Sequence, residues 1–307
     1  MRRLAVPAAI FALLLALPVL PMGTQSGYVL LLATRVMILG LAALSLDLLL
    51  GLGGLVSFGH AAFIGLGAYA VAIADANGAN DALVVLPAAL GAAALFAVGT
   101  GAVALRTRGE NYIMKTLAFA QMLFFAFGSL ADYGGDDGYT LGARTTVLGA
   151  RLLAAPRGLY GAALVLLAAA YLLARALAAS PSGRALQGVR QNRARMQAIG
   201  YSPFSVQLAA TAIAGMLCAL AGVLLANQAE FVSPAYAAWP RSGDLLVMVI
   251  LGGAGSLHGA ILGAAAVVLL EEGLSRLTEH WPLIYGPLLV LSVLFLRHGL
   301  AGRRPIG

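Results

Sequence analysis

The chain has 307 residues, of which 61% are hydrophobic and only 10% charged, with a mean hydropathy of +0.92. A water-soluble domain of this size needs roughly a quarter of its residues charged to cover its surface, so a soluble globular fold is excluded. The net charge of +7 arises from 19 Lys and Arg against 12 Asp and Glu, and in so apolar a chain that excess reads as the asymmetry of membrane loops and not as a nucleic-acid surface.

The N-terminus, MRRLAVPAAIFALLLALPVLPMG, joins a basic start to an apolar run. No small-x-small cleavage site follows Pro18 or Pro21, so it is expected to stay as a first span. Apolar runs then predict spans near 4–20, 29–50, 55–74, 82–105, 116–131, 158–178, 204–226, 242–254, 259–271 and 282–296. The last two before the final span are short, and the GGAGSLHG between them (252–259) is compatible with a broken or re-entrant hairpin, because glycine-broken backbone is tolerated at membrane depth when protein buries it. The expected fold is all-α, a polytopic helical transmembrane protein of eight to ten spans forming one domain over 1–307. Glycine-rich blocks near 51–67 and 252–263 look weakly alike, as two pseudo-symmetric halves would, but membrane helices are glycine-rich in general.

Charge tests the ten-span alternation. If the chain starts inside, the inner segments hold Arg2, Arg3, Arg106, Arg108, Lys115, Arg175, Arg184, Arg190, Arg193, Arg195, Arg297, Arg303 and Arg304 against Glu110 alone. The outer segments hold five arginines, Arg144, Arg151, Arg157, Arg241 and Arg276, against ten acids. Both termini and the 180–203 loop are therefore expected on the cytoplasmic side.

Asp47 is the one acid deep in a predicted span, and intramembrane charge is costly enough to suggest a function by default. Twelve residues separate it from Arg35, about 18 Å along one helix, so the two cannot pair there. Arg35 can snorkel outward, whereas Asp47 needs an interior partner, a proton or water from the inner side. The block over 44–69 holds Gly51, Gly53, Gly54, Gly59, Gly65 and Gly67 with Ser57 and His60. Its small residues suit close helix packing, and the same glycines would also suit a broken helix lining a solute path. His60 reads first as a structural hydrogen-bonding partner. Tyr112 and Gln121, and Gly252 and Gly253 of the second glycine block, complete the candidate path with Asp47, Gly51, Gly54, Ser57, His60 and Gly65.

Between two long apolar runs stands GRALQGVRQNRARMQAIG, residues 183–200, with four arginines. As a helix it puts Leu186, Val189, Met196 and Ile199 on one side, with Arg193 at the edge and Arg184 and Arg195 opposite. Ser182 is placed to cap its start, and Gly200 with Pro203 to stop it. Such a helix either lies on anionic lipid or docks its apolar stripe into a groove on a soluble partner. Enzymatic and metal chemistry find no motif: there is no H-E-x-x-H, no Cys and His spacing for zinc and no G-x-S-x-G, and the lone Cys218 can form no disulfide within the chain. The only lysine, Lys115, follows Met114, so no G-K-[ST] phosphate loop exists and any ATPase must be another chain.

Five segments in order resemble the permease subunits of branched-chain amino acid ABC importers, in the M-type form: DLLLGLGGLVSFGHAAFIGLGAY, RGENYIMKTLAFAQM, SGRALQGVRQNRARMQAIGYS, FVSPAYAAWPRSGDLLVMVILGGAGSLHGAILGA and LTEHWPLIYGPLLVLSVLFLRHGLAG. The resemblance implies a heterodimer with an H-type permease, two cytoplasmic ABC ATPases that carry the ATP and Mg, and a periplasmic solute-binding protein, in a bacterial inner membrane. It implies no cofactor in this chain, and it favours docking over lipid for the 180–203 loop as a coupling helix. Gly183, Arg184, Ala185, Arg190, Ala198 and Gly200 match the family's loop pattern, whereas Arg193 and Gln197 stand where Glu is common, and Lys115 and the Arg297-His298 pair are also departures. The rival reading is a proton-coupled secondary transporter that uses Asp47.

Overall fold

A backbone inside hydrocarbon has no water to bond, so every segment at membrane depth must satisfy its N–H and C=O groups internally, and helices do so. The structure, a computed structural model, describes residues 2–19, 26–107, 109–295 and 299–301. Pro21, Arg108, Arg297, His298, Arg303 and Arg304, and the side chains of Arg2 and Arg3, lie outside the described residues.

Ten apolar helices correspond one for one to the predicted spans: α1 (Arg2–Ala16), α2 (Ser26–Asp47), α3 (Ala61–Ala76), α4 (Ala82–Ala104), α5 (Glu110–Gly128), α6 (Pro156–Ala179), α9 (Pro203–Ala229), α10 (Trp239–Gly252), α11 (Leu257–Leu277) and α12 (Trp281–Phe295). Two short helices, α7 (Pro181–Gln191) and α8 (Arg193–Ala198), form an arm between α6 and α9. Five segments, 27–52 and helices α4, α6, α9 and α11, are long and apolar enough to cross a bilayer by length and composition. The protein is an all-α, polytopic membrane protein.

Three boundaries differ from expectation. The span predicted from 55 begins only at Ala61, because α2 runs on as a π-helical turn over Leu48–Leu52 and residues 54–60 then leave the helix. Helix α5 starts six residues before the predicted 116, at Glu110. Of the two runs judged short, α11 continues to Leu277 and only α10 is short, at 14 residues. That is about 21 Å, less than the ~30 Å hydrocarbon core.

Helix α2 is central, packing against α11, α9, α6 and α10, while α9 packs against α3 and α4. The α3–α9 crossing depends on glycine. A Cβ at Gly67 would sit 2.0 Å from Ala219 O, and one at Gly222 would sit 2.1 Å from Ile64 O. Small residues let membrane helices approach to backbone contact, where dispersion does the work that hydrophobicity cannot do in lipid.

The connections fall into two groups. One end of the bundle carries 53–60, 105–109, the arm and 253–256. The other carries 77–81, the long segment 129–155, 230–238 and 278–280. The 129–155 segment makes a cap in which β1 (Tyr139–Thr140) pairs antiparallel with β2 (Phe231–Val232), Tyr139 opposite Val232. Arg144 bridges to Glu230 at 2.7 Å. Asp81 caps α4 and accepts the N–H groups of Leu83 and Gly149 at 2.9 Å each. Those donors favour the ionised carboxyl and hold it below the usual carboxylate range. Arg35, expected to snorkel, instead meets Glu271 of α11 at 3.1 Å.

Candidate functional site

The arm begins where Ser180 turns extended (φ −73°, ψ 164°) and its Oγ accepts Gly183 N–H at 3.2 Å, with Pro181 in the first turn. Ser180, not the expected Ser182, is therefore the cap. The single helix predicted over 183–200 does not form. At Asn192 the backbone is extended (φ −155°, ψ 98°), and its Oδ1 accepts Arg195 N–H at 2.9 Å, so the residue ends α7 and caps α8. Gly200, at φ +91°, closes α8, with Gly200 N–H on Gln197 O and Tyr201 N–H on Met196 O, both at 3.0 Å, the two bonds of a Schellman stop.

The break divides the predicted apolar stripe. Leu186 and Val189 are buried inside the chain, Leu186 lying over Gly53, where a Cβ would meet its Cδ1 at 3.3 Å. Met196 folds back onto α7, its sulfur 2.6 Å from where a Cβ on Gly188 would stand. Ile199 is left 62% exposed. Gly183 and Ala185 are buried as well, whereas Arg184, Arg190, Gln197, Ala198 and Gly200 are exposed and Arg193 is half-buried. The exposed surface of the arm is thus the outward side of α7 with the end of α8, and not the stripe. Aspartates at 186 and 189 would disrupt this chain's own packing before any docking.

Arg190 is fastened to the bundle. Its guanidinium donates to Gly51 O, the carbonyl of the π turn that ends α2, and its stem lies across Gly54, where a Cβ would stand 2.9 Å from Arg190 Cγ. Gly54 itself sits at φ +67°, which favours glycine. Arg193 donates to Gln207 Oε1 at 3.3 Å.

Behind Gly51 lies a second broken end. A Cβ on Gly51 would come within 2.5 Å of Gly255 Cα, and Asp47 Oδ1 accepts the Gly255 N–H at 2.7 Å. The 299–301 segment joins the same turn, Leu300 N–H donating to Leu251 O at 2.8 Å and Ala301 N–H to Gly252 O at 3.1 Å. Arm, broken α2 and α10–α11 turn thus share one seam through Arg190, Gly51, Asp47 and Gly255.

The candidate path residues divide accordingly. Asp47 is fully buried and faces the Gly255 backbone, not a cavity; its Oδ2 has no partner among the described residues. Gly51, Gly252 and Gly253 belong to the seam, and Gly65 packs against Ala237 and the Phe127 ring, each 2.8 Å from its would-be Cβ. His60 has Nε2 2.8 Å from Ser45 Oγ and its ring edge on Phe63. Because the Ser45 hydroxyl donates to Ala42 O at 2.6 Å, His60 Nε2–H is the donor to Ser45, a structural pairing. Ser57 and Tyr112 border a small cavity of about 20 Å³ with Thr116 and Phe119. Gly54 and Tyr112 line a larger one of about 330 Å³ against the arm. Gln121 is half-buried on α5, with Nε2 lacking a partner among the described residues. Sequence reasoning passed over Ser45, Asn192, Gln207 and Gly255; only Asn192, three residues before a capped N–H, carried a readable signal.

The seam makes Asp47 testable. Asn keeps the acceptor oxygen at the same place, so Asp47→Asn is expected to express, fold and support uptake near the native level. Asp47→Leu strands a buried N–H at a cost of about 1–3 kcal/mol and should lower the melting temperature and transport together. Thermal denaturation in detergent and whole-cell uptake read both.

A family model described as the permease component of branched-chain amino acid transport systems matches residues 28–296. The chain is 28% identical over 293 residues to the high-affinity branched-chain amino acid transport system permease proteins LivM of Salmonella typhimurium and of Escherichia coli K12, covering 87% of this chain and 68% of each relative. It is also 28% identical over 138 residues to the autoinducer 2 import system permease protein LsrC of Photorhabdus laumondii, covering 43% and 40% of the two chains. No solved structure matches. A match over residues 28–296 takes in both broken helix ends and the whole arm, and the chain belongs to the family of branched-chain amino acid transport system permease components.

Proposed function

We propose that this chain is the M-type permease subunit of an ABC importer that passes branched-chain or related amino acids across a bacterial inner membrane. The observation that carries the reading is the arm: it joins the two spans α6 and α9, is pinned through Arg190 to the broken end of α2, and leaves Ile199 and several arginines facing outward. An element rigidly fixed on one side and open on the other suits a lever gripped by a motor. The motor would be two cytoplasmic ATPases holding ATP and Mg. An H-type permease would complete the membrane unit within the lipid, and a periplasmic solute-binding protein would deliver cargo. This chain would perform no bond chemistry and hold no cofactor. The arm must seat better on one ATPase state than on the other, since a contact without differential affinity moves no equilibrium. On this reading the arm end of the bundle is cytoplasmic, as the basic excess there suggests.

The test is cross-linking from the exposed end of the arm. In a background with Cys218 replaced by Ala, Ile199→Cys is expected to form a disulfide or maleimide adduct with a co-encoded ATPase during turnover, and Ile199→Asp to reduce binding-protein-stimulated ATP hydrolysis several-fold while membrane insertion is unchanged. Absence of adducts at every step of the cycle, with uptake that survives ATP depletion and collapses with the proton gradient, would transfer the chain to a proton-coupled mechanism.

A further inference from the structure

Four charged side chains meet in the half of the bundle away from the arm, below the ends of the helices that carry them. Arg35 lies nine residues after the start of α2, about 14 Å along the helix, and Glu271 six residues before the end of α11, about 9 Å. In their ion pair Arg35 Nη2 stands 3.1 and 3.2 Å from the two Glu271 oxygens, and the two side chains keep 35% and 28% of their surface exposed. Beside them the short helix α10 brings Arg241 in its first turn and Asp244 one turn on, both half-buried. Asp244 interacts electrostatically with Arg241 and Glu271. Tyr236 does so with Arg241 and Arg35, and Tyr285 of α12 with Asp244 and Glu271. The cluster thus has a cationic side beside Tyr236 and an anionic side beside Tyr285. Arg35 and Glu271 neutralise each other, but neither Arg241 nor Asp244 has a side-chain hydrogen bond, or an opposite charge within 4 Å, among the described residues. Space is open next to Asp244, since a Cβ on Gly243 would meet nothing within 4 Å. Charge at membrane depth is costly, and where it is kept it marks a route for a solute.

From this arrangement we propose that Arg241 and Asp244 form an entry site for a zwitterionic amino acid arriving from the end of the bundle opposite the arm. The α-carboxylate accepts from Arg241, in the first turn of α10 where the helix dipole also favours an anion, and the α-ammonium donates to Asp244. A guanidinium and a carboxylate one turn apart, but not in contact, leave a gap that the adjoining opposite charges of one amino acid fill. The aliphatic tail lies along Gly243 and Val247 on the same helix, both half-buried. Two arginines against one Asp and one Glu give the cluster no net charge, so it favours neither a simple anion nor a simple cation. A molecule that carries both charges side by side satisfies both halves at once. This inference rests on the proposed function for the identity of the cargo and the direction of transport, and adds to it the residues at which the cargo is first met.

The experiment uses the assembled importer, both permeases with their ATPases, in proteoliposomes with the ATPases inside and no solute-binding protein. In a Cys218→Ala background, Gly243→Cys is labelled from outside with a membrane-impermeant maleimide, and the label is read on this chain's own gel band. Leucine at about ten times its Kd should slow labelling about tenfold. Isovalerate, which lacks the ammonium, and leucinamide, which lacks the carboxylate, should protect far less at the same concentration. Adding Arg241→Gln or Asp244→Asn should weaken the protection by leucine about ten- to a hundredfold, the loss of one hydrogen bond to a charged group. Arg276→Gln, whose partner is Glu272 and not the cluster, should leave it as it was. Radiolabelled leucine binding to the native, Arg241→Gln and Asp244→Asn complexes reads the same site without the thiol; if neither charge variant assembles, the thiol series decides. The proposal is overturned if leucine gives no protection, if either singly charged analogue protects as well as leucine, or if both charge variants bind leucine as the native complex does. A Gly243→Cys thiol that never reacts in the assembled complex overturns it too, because the second permease then covers the cluster. Failure here with intact Ile199 cross-links and coupled uptake removes only the entry site, whereas missing cross-links and coupling remove the proposed function.

Discussion

If the arm couples the chain to an ATPase as proposed, Arg190→Ala uncouples transport from ATP hydrolysis while leaving the chain folded and inserted. The guanidinium hydrogen-bonds the arm to the π turn of α2, and its acceptor, Gly51 O, is a carbonyl at a helix break. A hydrogen bond to a charged group is worth about 1.5–3 kcal/mol, so its loss shifts the balance between seated and unseated arm by about ten- to a hundredfold. The expected result is uptake near background and ATP hydrolysis that no longer responds to the solute-binding protein. Arg190→Lys keeps the charge and one donor but not the planar fork, and should recover part of the response. The arm's remaining contacts, Leu186 over Gly53 and Gly183 against Leu177 O, keep it attached in the variant, so a loss of coupling is not a loss of fold. Paired measurements of stimulated and basal hydrolysis, with size-exclusion profiles, check this. Native coupling in Arg190→Ala would show that the arm communicates by another route.

Gly222→Leu should have the largest effect on stability. Its Cβ would lie 2.1 Å from Ile64 O and 2.9 Å from Ile64 C, and backbone of a buried helix cannot give way as a side-chain end can. Overpacking typically costs about 1–3 kcal/mol and more where backbone must shift. The α3–α9 contact would have to open along its length, because Gly67 meets Ala219 O one turn away in the same crossing. Very low yield of monodisperse protein, or a melting temperature lowered by many degrees, is the expected readout. Gly91→Leu, on the exposed side of α4 with nothing within 4 Å of its would-be Cβ, should be nearly neutral by the same assay and serves as the control.

Much of the architecture was legible because membrane helices are written in composition. Each run of about 20 apolar residues can satisfy its backbone only as a helix, and the ten predicted runs and the ten apolar helices agree. Failures occurred where hydropathy is silent. Residues 54–60 are apolar and glycine-rich, like the helices on either side; the glycines suit close packing and a broken helix alike, and hydropathy does not decide between them. The 183–200 segment has a continuous helical period, so the amphipathic stripe looked sound; one asparagine in an extended conformation ended it. Asp47 stands out by the cost of charge in a span and His60 reads as a structural hydrogen-bonding partner, but spacing does not reveal their partners, Gly255 and Ser45. Asp47 and Gly255 are 208 residues apart.

The sequence by itself determined that the chain is a bundle of apolar helices with a basic arm between two spans, because both properties follow from the kinds of residue in each stretch. Only the tertiary structure decided what the arm's residues face: Leu186 and Val189 turn inward, Ile199 stays outside, and Arg190 holds the broken end of α2. The reason is physical. Apolar character tells a helix that one side must be buried, but whether its own bundle or a second protein covers that side depends on the nearest surface, and here Gly53 and Gly54 leave room for the chain to cover it itself.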